Sequence, residues 1–388
     1  MTGQTATAPA LFRLDEERRE FQSMCRAVVR DKVVPLVDRA EEDGTFPSEL
    51  WGELGRTGLL GLGYPEAVGG AGGGVLEIAI FSEELAKASG GIAVTPLVSS
   101  YMAAPHLYRH GSEAQKQRWL RGILDGGTVA AIAVSEPGAG SDVAGIATTA
   151  KPVDGGWALN GAKIFITNGG IADVLIVAAR TDPTERHRGL TMFLVEKDSP
   201  GFDAGRPLRK MGWHSSDTRE LFLQDCRVPS EAVVGDVGRG FYQIMEAFQT
   251  ERVVLAAMGV GLAQACLDDA VEYARERAAF GRPIGNLQVI RHALGEMKTE
   301  VEAARLLTYR SAAMIDAGED FADAVAMAKL FTARAANHVA DRAVQIFGGY
   351  GFLEETRVAM HYRDARVLRI GGGTDEVQLE VLAKGMDL

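Results

Sequence analysis

The hydrophobic pattern of this chain changes period twice, and that double change constrains its fold more than any single motif. From about Leu14 to Leu124 apolar residues recur at helical spacing between Gly/Pro turns. From about Val129 to Val233 they fall in short β-rich runs, clearest at Ile132–Val134, Trp157–Leu159, Lys163–Thr167, Val174–Ala178, Thr191–Glu196 and Glu220–Leu223. From Arg239 onward the helical period returns. Short strands without helices between them do not build βαβ units, so a small antiparallel sandwich or barrel is expected in the middle. The predicted fold class is α+β. A flexible tail covers 1–13, an N-terminal helical domain 14–127, a middle antiparallel β domain 128–237 and a C-terminal four-helix-bundle domain 238–388. A chain of 388 residues is too long for one compact core, which suits this division.

Local signals refine the plan. Asp15–Ala40 is amphipathic, Pro47–Leu60 reads as a second helix, and Ser112-Glu113-Ala114-Gln115 has the spacing of a capping box. The run Gly69 to Gly74 reads as a surface loop, and Asn160-Gly161 predicts a tight hairpin turn. Leu287, Ile290, Leu294, Met297, Val301 and Ala304 alternate by three and four, the seam of a bundle helix. Val253–Leu267, Ala324–Phe347 and Asp375–Lys384 supply further helices.

Charge narrows the partners. Forty-one basic against 52 acidic side chains give −11, which disfavours nucleic acid and anionic membranes. An anionic ligand would need a local basic or amide-rich site. The longest apolar run, Val253 to Ala263, is about half of what a membrane span requires. Met1 to Pro9 lacks an apolar signal core, and Asp15, Glu16 and Glu17 argue against a transit peptide, so a cytoplasmic protein is expected. Cys25, Cys226 and Cys266 are far apart with no CxxC pair, which reads as buried filler, a reducing compartment and no structural metal.

Glu136-Pro137-Gly138-Ala139-Gly140-Ser141-Asp142 follows the apolar strand Ala130–Val134. Its glycines do not space as GxGxxG. It is either a structural turn or a turn whose amides, with the hydroxyls of Ser135 and Ser141, hold an anion or a heteroaromatic edge. Extended to Val134, it resembles the flavin-binding segment of the acyl-CoA dehydrogenase family. Four more stretches agree in the family's order: Ile166-Thr167-Asn168-Gly169, Met211-Gly212-Trp213, Arg277 to Pro283, and Gln345 to Gly351. The resemblance spans 15–385, and the helical–β–helical layout is the family's.

The resemblance implies an FAD site. Ile132, Val134, Ser135, Gly140 and Ser141 would line it, Ser135 bonding the flavin ring and Ser141 lying near the pyrophosphate. Phe165 stands where a Trp often stacks beside the flavin, and Thr167 matches a hydroxyl near N5. Arg277 and Phe280 match positions that reach the ADP half of FAD in a neighbouring subunit, with Gln288, Gln345 and Gly349 nearby. Thr374 and Glu376 match the last cofactor contacts, although a Glu cannot donate as the usual Gln does. Without the family, Phe165 and Phe280 would read as core aromatics and Arg277 as a solvated charge; Trp213 reads as core either way.

The implied reaction is α,β-dehydrogenation of an acyl-CoA to the trans-2-enoyl-CoA, a carboxylate taking the α-proton while the β-carbon passes hydride to flavin N5. Many members carry the base immediately before Gly-Thr, where this chain has Gly372. Long-chain and isovaleryl-type members place it where Glu251 stands, in Phe248-Gln249-Thr250-Glu251-Arg252. The plain alternative for Glu251 is a helix-start carboxylate, and Asp375 and Glu376 are rival acids expected as capping charge. The Gly372 N–H remains available to hold the thioester oxygen. Ser141, Gln249, Arg252, Leu97, Gly371 and Gly373 are expected at the substrate, with Val94–Tyr101 along the acyl tail. Gln249 replaces an Asp that many relatives offer to pantetheine. Gly371 replaces a frequent Tyr, leaving room for branched or bulky acyl groups. A homotetramer passing electrons to an electron-transfer flavoprotein is implied. The alternatives are a desaturase of carrier-protein-bound acyl groups and a non-catalytic acyl-CoA/flavin-binding paralogue.

Overall fold

The computed structural model describes residues 14–386, so the expected tail over 1–13 lies outside the described residues. The first helix, Glu16–Val28, is capped by Asp15, which accepts the Arg18 amide at 2.9 Å. The amphipathic stretch to Ala40 is not one helix. Pro35 has no amide to donate, and the chain passes through a π turn (Val29–Val33) and a 3-10 turn (Val34–Leu36) before resuming at Val37–Asp43. The capping box forms as expected: Ser112 Oγ accepts the Gln115 amide at 3.2 Å, and Gln115 Oε1 accepts the Ser112 amide at 2.9 Å.

The middle of the chain forms an eight-stranded sheet: β1 (Ala130–Ala133), β2 (Thr149–Val153), β3 (Gly156–Thr167), β4 (Val174–Arg180), β5 (Leu190–Glu196), β6 (Phe202–Pro207), β7 (Thr218–Pro229) and β8 (Val233–Val234). The order is β6-β7-β3-β2-β4-β5-β8, with β1 also on β4. The sheet is mixed. β1 runs parallel to β4, Ala130 facing Val174 and Ala133 facing Val177. A parallel pair needs a long crossover, supplied here by the 134–148 segment and the β2–β3 hairpin in place of a helix.

The hairpin expected at Asn160-Gly161 is absent. β3 runs through it with a bulge against β7. Gly161 packs against the Thr148 backbone, whose Cα would lie 2.7 Å from a Cβ there. Asn160 pairs with Asp225 in both directions, at 3.0 and 2.9 Å. The turn is instead Asp154-Gly155, between the paired residues Val153 and Gly156, with Gly155 at φ +76°.

The C-terminal half is organised by one long helix, Gly240–Glu276. Helices Val75–Ala86, Gln288–Asp316 and Ala322–Phe347 surround it, so it is apolar on every side. By length and composition it would suffice to cross a membrane, yet 83% of its apolar window is buried in the protein. Along the expected seam Met297, Val301 and Ala304 are buried, and Ile290 and Leu294 are partly so. Glu83, wholly buried, accepts Arg305 Nη2 at 3.1 Å and the Tyr309 hydroxyl at 2.8 Å, binding the Val75–Ala86 helix into the bundle. Trp213 is only half-buried, at φ +55°, where its amide donates to Asp364 Oδ1 at 2.6 Å.

Candidate functional site

The motif turn is built by a buried ion pair. Lys163 Nζ donates to Glu136 Oε1 at 2.7 Å and to the Val134 carbonyl at 3.1 Å. Glu136 also accepts the amides of Ala147 (2.6 Å) and Thr148 (3.0 Å). Burial alone would raise the Glu136 carboxyl, but Lys163 and these bonds hold it below the usual range; burial pushes Lys163 down to about 8. Glu136 and Ala139 exchange backbone bonds at 2.9 and 3.1 Å, closing the turn. A Cβ on Gly138 or Gly140 would meet no protein atom within 4 Å. The chain's own packing therefore gives no reason for these glycines, whereas close approach of a ligand to the amides does.

Beside the turn lies an apolar platform. Ile132 and Val134 share the accessible face of β1, while Ala131 and Ala133 are buried. The Ile164 amide donates to the Ser135 carbonyl at 3.0 Å, bringing Phe165 and Thr167 alongside. Phe165 is 68% exposed at φ +60°, a conformation that costs a bulky residue about 1–3 kcal/mol. Phe165 is thus not the core aromatic of the family-free reading. Its strained backbone at a bulge turns the ring out of the sheet. An accessible strand face, a presented ring, two hydroxyls and open amides fit a flat heteroaromatic group carrying phosphates.

Glu251 lies on the long helix, deeply placed yet touching open space, and no hydrogen bond from a described residue reaches its carboxylate. Burial pushes it up to about 7, against the opposing charges of Arg252 and Lys329. One turn on, Leu255 (6% exposed) points at Gly372: a Cβ built on Gly372 would overlap Leu255 Cδ1. Gly372 also has φ +64°, which side-chain-bearing residues avoid. Leu255 therefore fills the space a side chain at 372 would need, and Glu251 stands on the same helix face. Leu255 escaped the sequence reading. Its i+4 relation to Glu251 was a usable signal, but its fit to Gly372 needs three dimensions.

The glycine loop is held from below. Lys329, buried, donates to the Gly373 carbonyl, and Gln378 Nε2 donates to the Gly372 and Gly373 carbonyls at 3.4 and 3.2 Å. No described acceptor takes the Gly372 amide. Asp375 is buried between Arg334 (3.2 Å) and Arg369 (2.7 Å), while Glu376 is exposed and held below its usual range by backbone bonding and the Thr374 hydroxyl. Thr374 caps the last helix, accepting the Val377 amide at 3.3 Å. Gln249 Oε1 and Arg252 Nε, flanking Glu251, are buried without hydrogen-bond partners among the described residues. Leu97 and all of Val94–Tyr101 are buried, and Asn168 Nδ2 ties Thr95 O (2.9 Å) to Ala130 O (3.2 Å). Near Ser141, the loop before β5 gathers Arg186, His187 and Arg188, and Arg186 reaches Asp142 at 3.2 Å.

A second group of expected residues sits elsewhere. Arg277 ends the long helix 26 residues beyond Glu251, about 39 Å along the axis. Phe280, 93% exposed at φ +54°, tips the hairpin that follows, so it too is no core aromatic. Arg277 and Gly349 line a cavity of about 520 Å³ with Tyr273, Phe347 and Tyr350. Gln288 opens the next helix and Gln345 lies near the end of Ala322–Phe347. One chain does not bring this group to the Glu251 region.

Family models match three stretches: the acyl-CoA dehydrogenase N-terminal domain over 15–127, the middle domain over 131–226 and the C-terminal domain over 238–386. The short-chain specific acyl-CoA dehydrogenase of Megasphaera elsdenii is 41% identical over 374 residues, spanning 95% of this chain and 98% of its own. The mitochondrial isovaleryl-CoA dehydrogenase of Oryza sativa subsp. japonica is 38% identical over 372 residues, 95% and 91% of the two chains. The solved structure of butyryl-CoA dehydrogenase from Megasphaera elsdenii matches with a TM-score of 0.93 at 40% identity, covering 97% of this chain and all of that one. Agreement of this kind over nearly the whole length goes beyond a shared architecture, and the chain belongs to the acyl-CoA dehydrogenase family of FAD-dependent oxidoreductases.

Proposed function

We propose that the protein converts an acyl-CoA to its trans-2-enoyl-CoA with Glu251 as the base. The observation that carries this reading is the mutual fit of Leu255 and Gly372, which closes position 372 to a side chain and leaves Glu251 the free carboxylate one turn away. The α-carbon–hydrogen bond breaks and its proton goes to a Glu251 oxygen. A carboxyl near pH 7 is matched to that transfer. The Gly372 N–H donates to the thioester oxygen as negative charge develops there. Asp375, committed to two arginines, and Glu376, exposed beyond the cap, are poor rivals.

When bound, FAD accepts the β-hydride. Ile132, Val134, Ser135, Gly140, Ser141, Phe165 and Thr167 would hold it, with Thr374 and Glu376 from the terminal helix. Arg277, Phe280, Gln288, Gln345 and Gly349 would serve the FAD of a second copy, because Arg277, which ends the long helix, lies about 39 Å along its axis from Glu251 on one chain. Gln249 and Arg252, with a buried polar atom each that lacks a partner among the described residues, would meet the CoA thioester together with Ser141, Gly371, Gly373 and Leu97. The same reading takes the division at about 128 and 238, a homotetramer, an electron-transfer flavoprotein as acceptor and a cytoplasmic setting.

The test is an anaerobic titration of the purified flavoprotein with short, branched, medium and long acyl-CoAs. Bleaching of the oxidised flavin band is expected, and the best substrate defines the subgroup. A band that stays oxidised with every CoA ester but bleaches with a carrier-protein thioester would replace this reading with the carrier-bound one. Oxidised flavin throughout would leave a binding-only protein.

A further inference from the structure

Lys329 lies where two parts of the proposed machinery meet. It sits on the Ala322–Phe347 helix, is 1% exposed, and donates to the Gly373 carbonyl. That carbonyl is one residue past the amide proposed for the thioester oxygen. Three successive glycines, two at φ +64° and +89°, have no side chains to hold them in one conformation. The bonds from Lys329 and Gln378 draw the loop carbonyls into the bundle, and the Gly372 amide is left without a described acceptor. Lys329 also faces the long helix, where its charge bears on Glu251.

We infer that Lys329 is a positioning residue, its ammonium fixing the Gly371–Gly373 loop through the Gly373 carbonyl. The inference rests on Glu251 as base and Gly372 as oxyanion donor. The charged groups around Lys329 are Asp375 and Glu376 on the terminal helix and Glu251 and Arg252 on the long helix. Asp375 is shared with Arg334, on Lys329's own helix, and with Arg369, so it does not consume the lysine's charge. Arg252 opposes the ammonium, and burial pushes Lys329 down to about 8, against the acids around it.

The experiment follows single-turnover flavin bleaching of FAD-loaded protein by saturating acyl-CoA against pH, with flavin content confirming assembly. K329M is expected to move the acid limb up by about one pH unit and to lower the limiting rate about 10–100-fold, through a loosened amide donor. K329Q keeps a donor without the charge and is expected to move the limb while losing less rate. K329R is expected to return the limb to its parental position. Where K329M does not assemble with FAD, K329Q decides alone. An unmoved acid limb and an undiminished limiting rate in the uncharged variants, with E251Q inert, overturn the role of Lys329 and leave the base assignment standing. An active E251Q overturns the base assignment, and the inference falls with it.

Discussion

The two ends of the long helix carry different kinds of site. Near its start, Glu251 is deeply placed, polar atoms of its neighbours lack partners among the described residues, and the facing glycine loop is held by Lys329 and Gln378. At its end, Arg277 and Phe280 stand at the surface beside an open cavity. The first end has what proton chemistry needs, a largely desolvated carboxylate and a held amide donor. The second has what docking needs, an exposed ring and a cation. Phe165 and Phe280 both present an exposed aromatic ring from a left-handed backbone, a strained conformation for a bulky residue. In the proposed reading, one rigid element sets the spacing between a site complete in one chain and a site that requires another.

The comparison breaks most sharply at Glu251. Glu251→Gln is expected to slow anaerobic flavin reduction on the order of 10³-fold while leaving FAD bound. Normal reduction would return the base to Asp375 or Glu376. The same variant tests the burial of the carboxyl. Its folded-state value, about 7, lies above the ordinary 4.5, so the native protein binds this proton more tightly than the unfolded chain. The stability it lends is full below about pH 4.5 and is lost as pH rises through 7. Thermal melts of Glu251→Gln against the parent should therefore diverge in the variant's favour between those values and run parallel above. A constant difference would place Glu251 in solvent.

The Leu255–Gly372 fit is next in size. Gly372→Ala meets both a positive φ and Leu255 Cδ1, and is expected to cost about 2–4 kcal/mol in denaturant unfolding. Adding Leu255→Ala should recover the overlap share and leave the backbone strain. No recovery would mean that Leu255 does not fill that space.

At the other end, Phe280→Ser is expected to weaken FAD retention about 10-fold and to loosen the oligomer, with reduction per bound flavin unchanged. Gel filtration with flavin absorbance reads both. A slowed reduction rate at full occupancy would contradict the separation of the two ends.

Much of the fold was legible because period is a local property of side-chain burial. The change from helix to strand near 129 and back near 239 needs no distant partner to be seen. The pairing of β1 with β4 was not legible, because it depends on a crossover of about 40 residues. Asn160-Gly161 and Asp154-Gly155 both carry turn chemistry, and contact with Thr148 decides between them. Glu251 is singled out by the resemblance to long-chain and isovaleryl-type members together with the glycine at 372, since nothing in its own local pattern separates it from a helix-start carboxylate. Lys329 could not be, since it stands in an alanine-rich run with no motif and its partner Gly373 is 44 residues away.

Gly371 carries the smallest expected effect and sharpens the near end. Unlike its neighbour it has no positive φ, and a Cβ there meets only the Val367 carbonyl at 3.7 Å. A side chain is therefore tolerated by the fold at 371 and refused at 372, although the two glycines are adjacent. Gly371→Tyr should leave stability nearly unchanged and lower kcat/KM for branched acyl-CoAs about 10-fold relative to short linear ones, the scale of a lost hydrophobic fit. Kinetics with a branched and a linear substrate of equal carbon number read the ratio directly. An unchanged ratio would mean that the open space at 371 does not face the acyl group. A collapse of both rates would mean that the tyrosine reaches Glu251 or the Gly372 amide, and position 371 would then belong to the chemistry and not to selection among acyl chains.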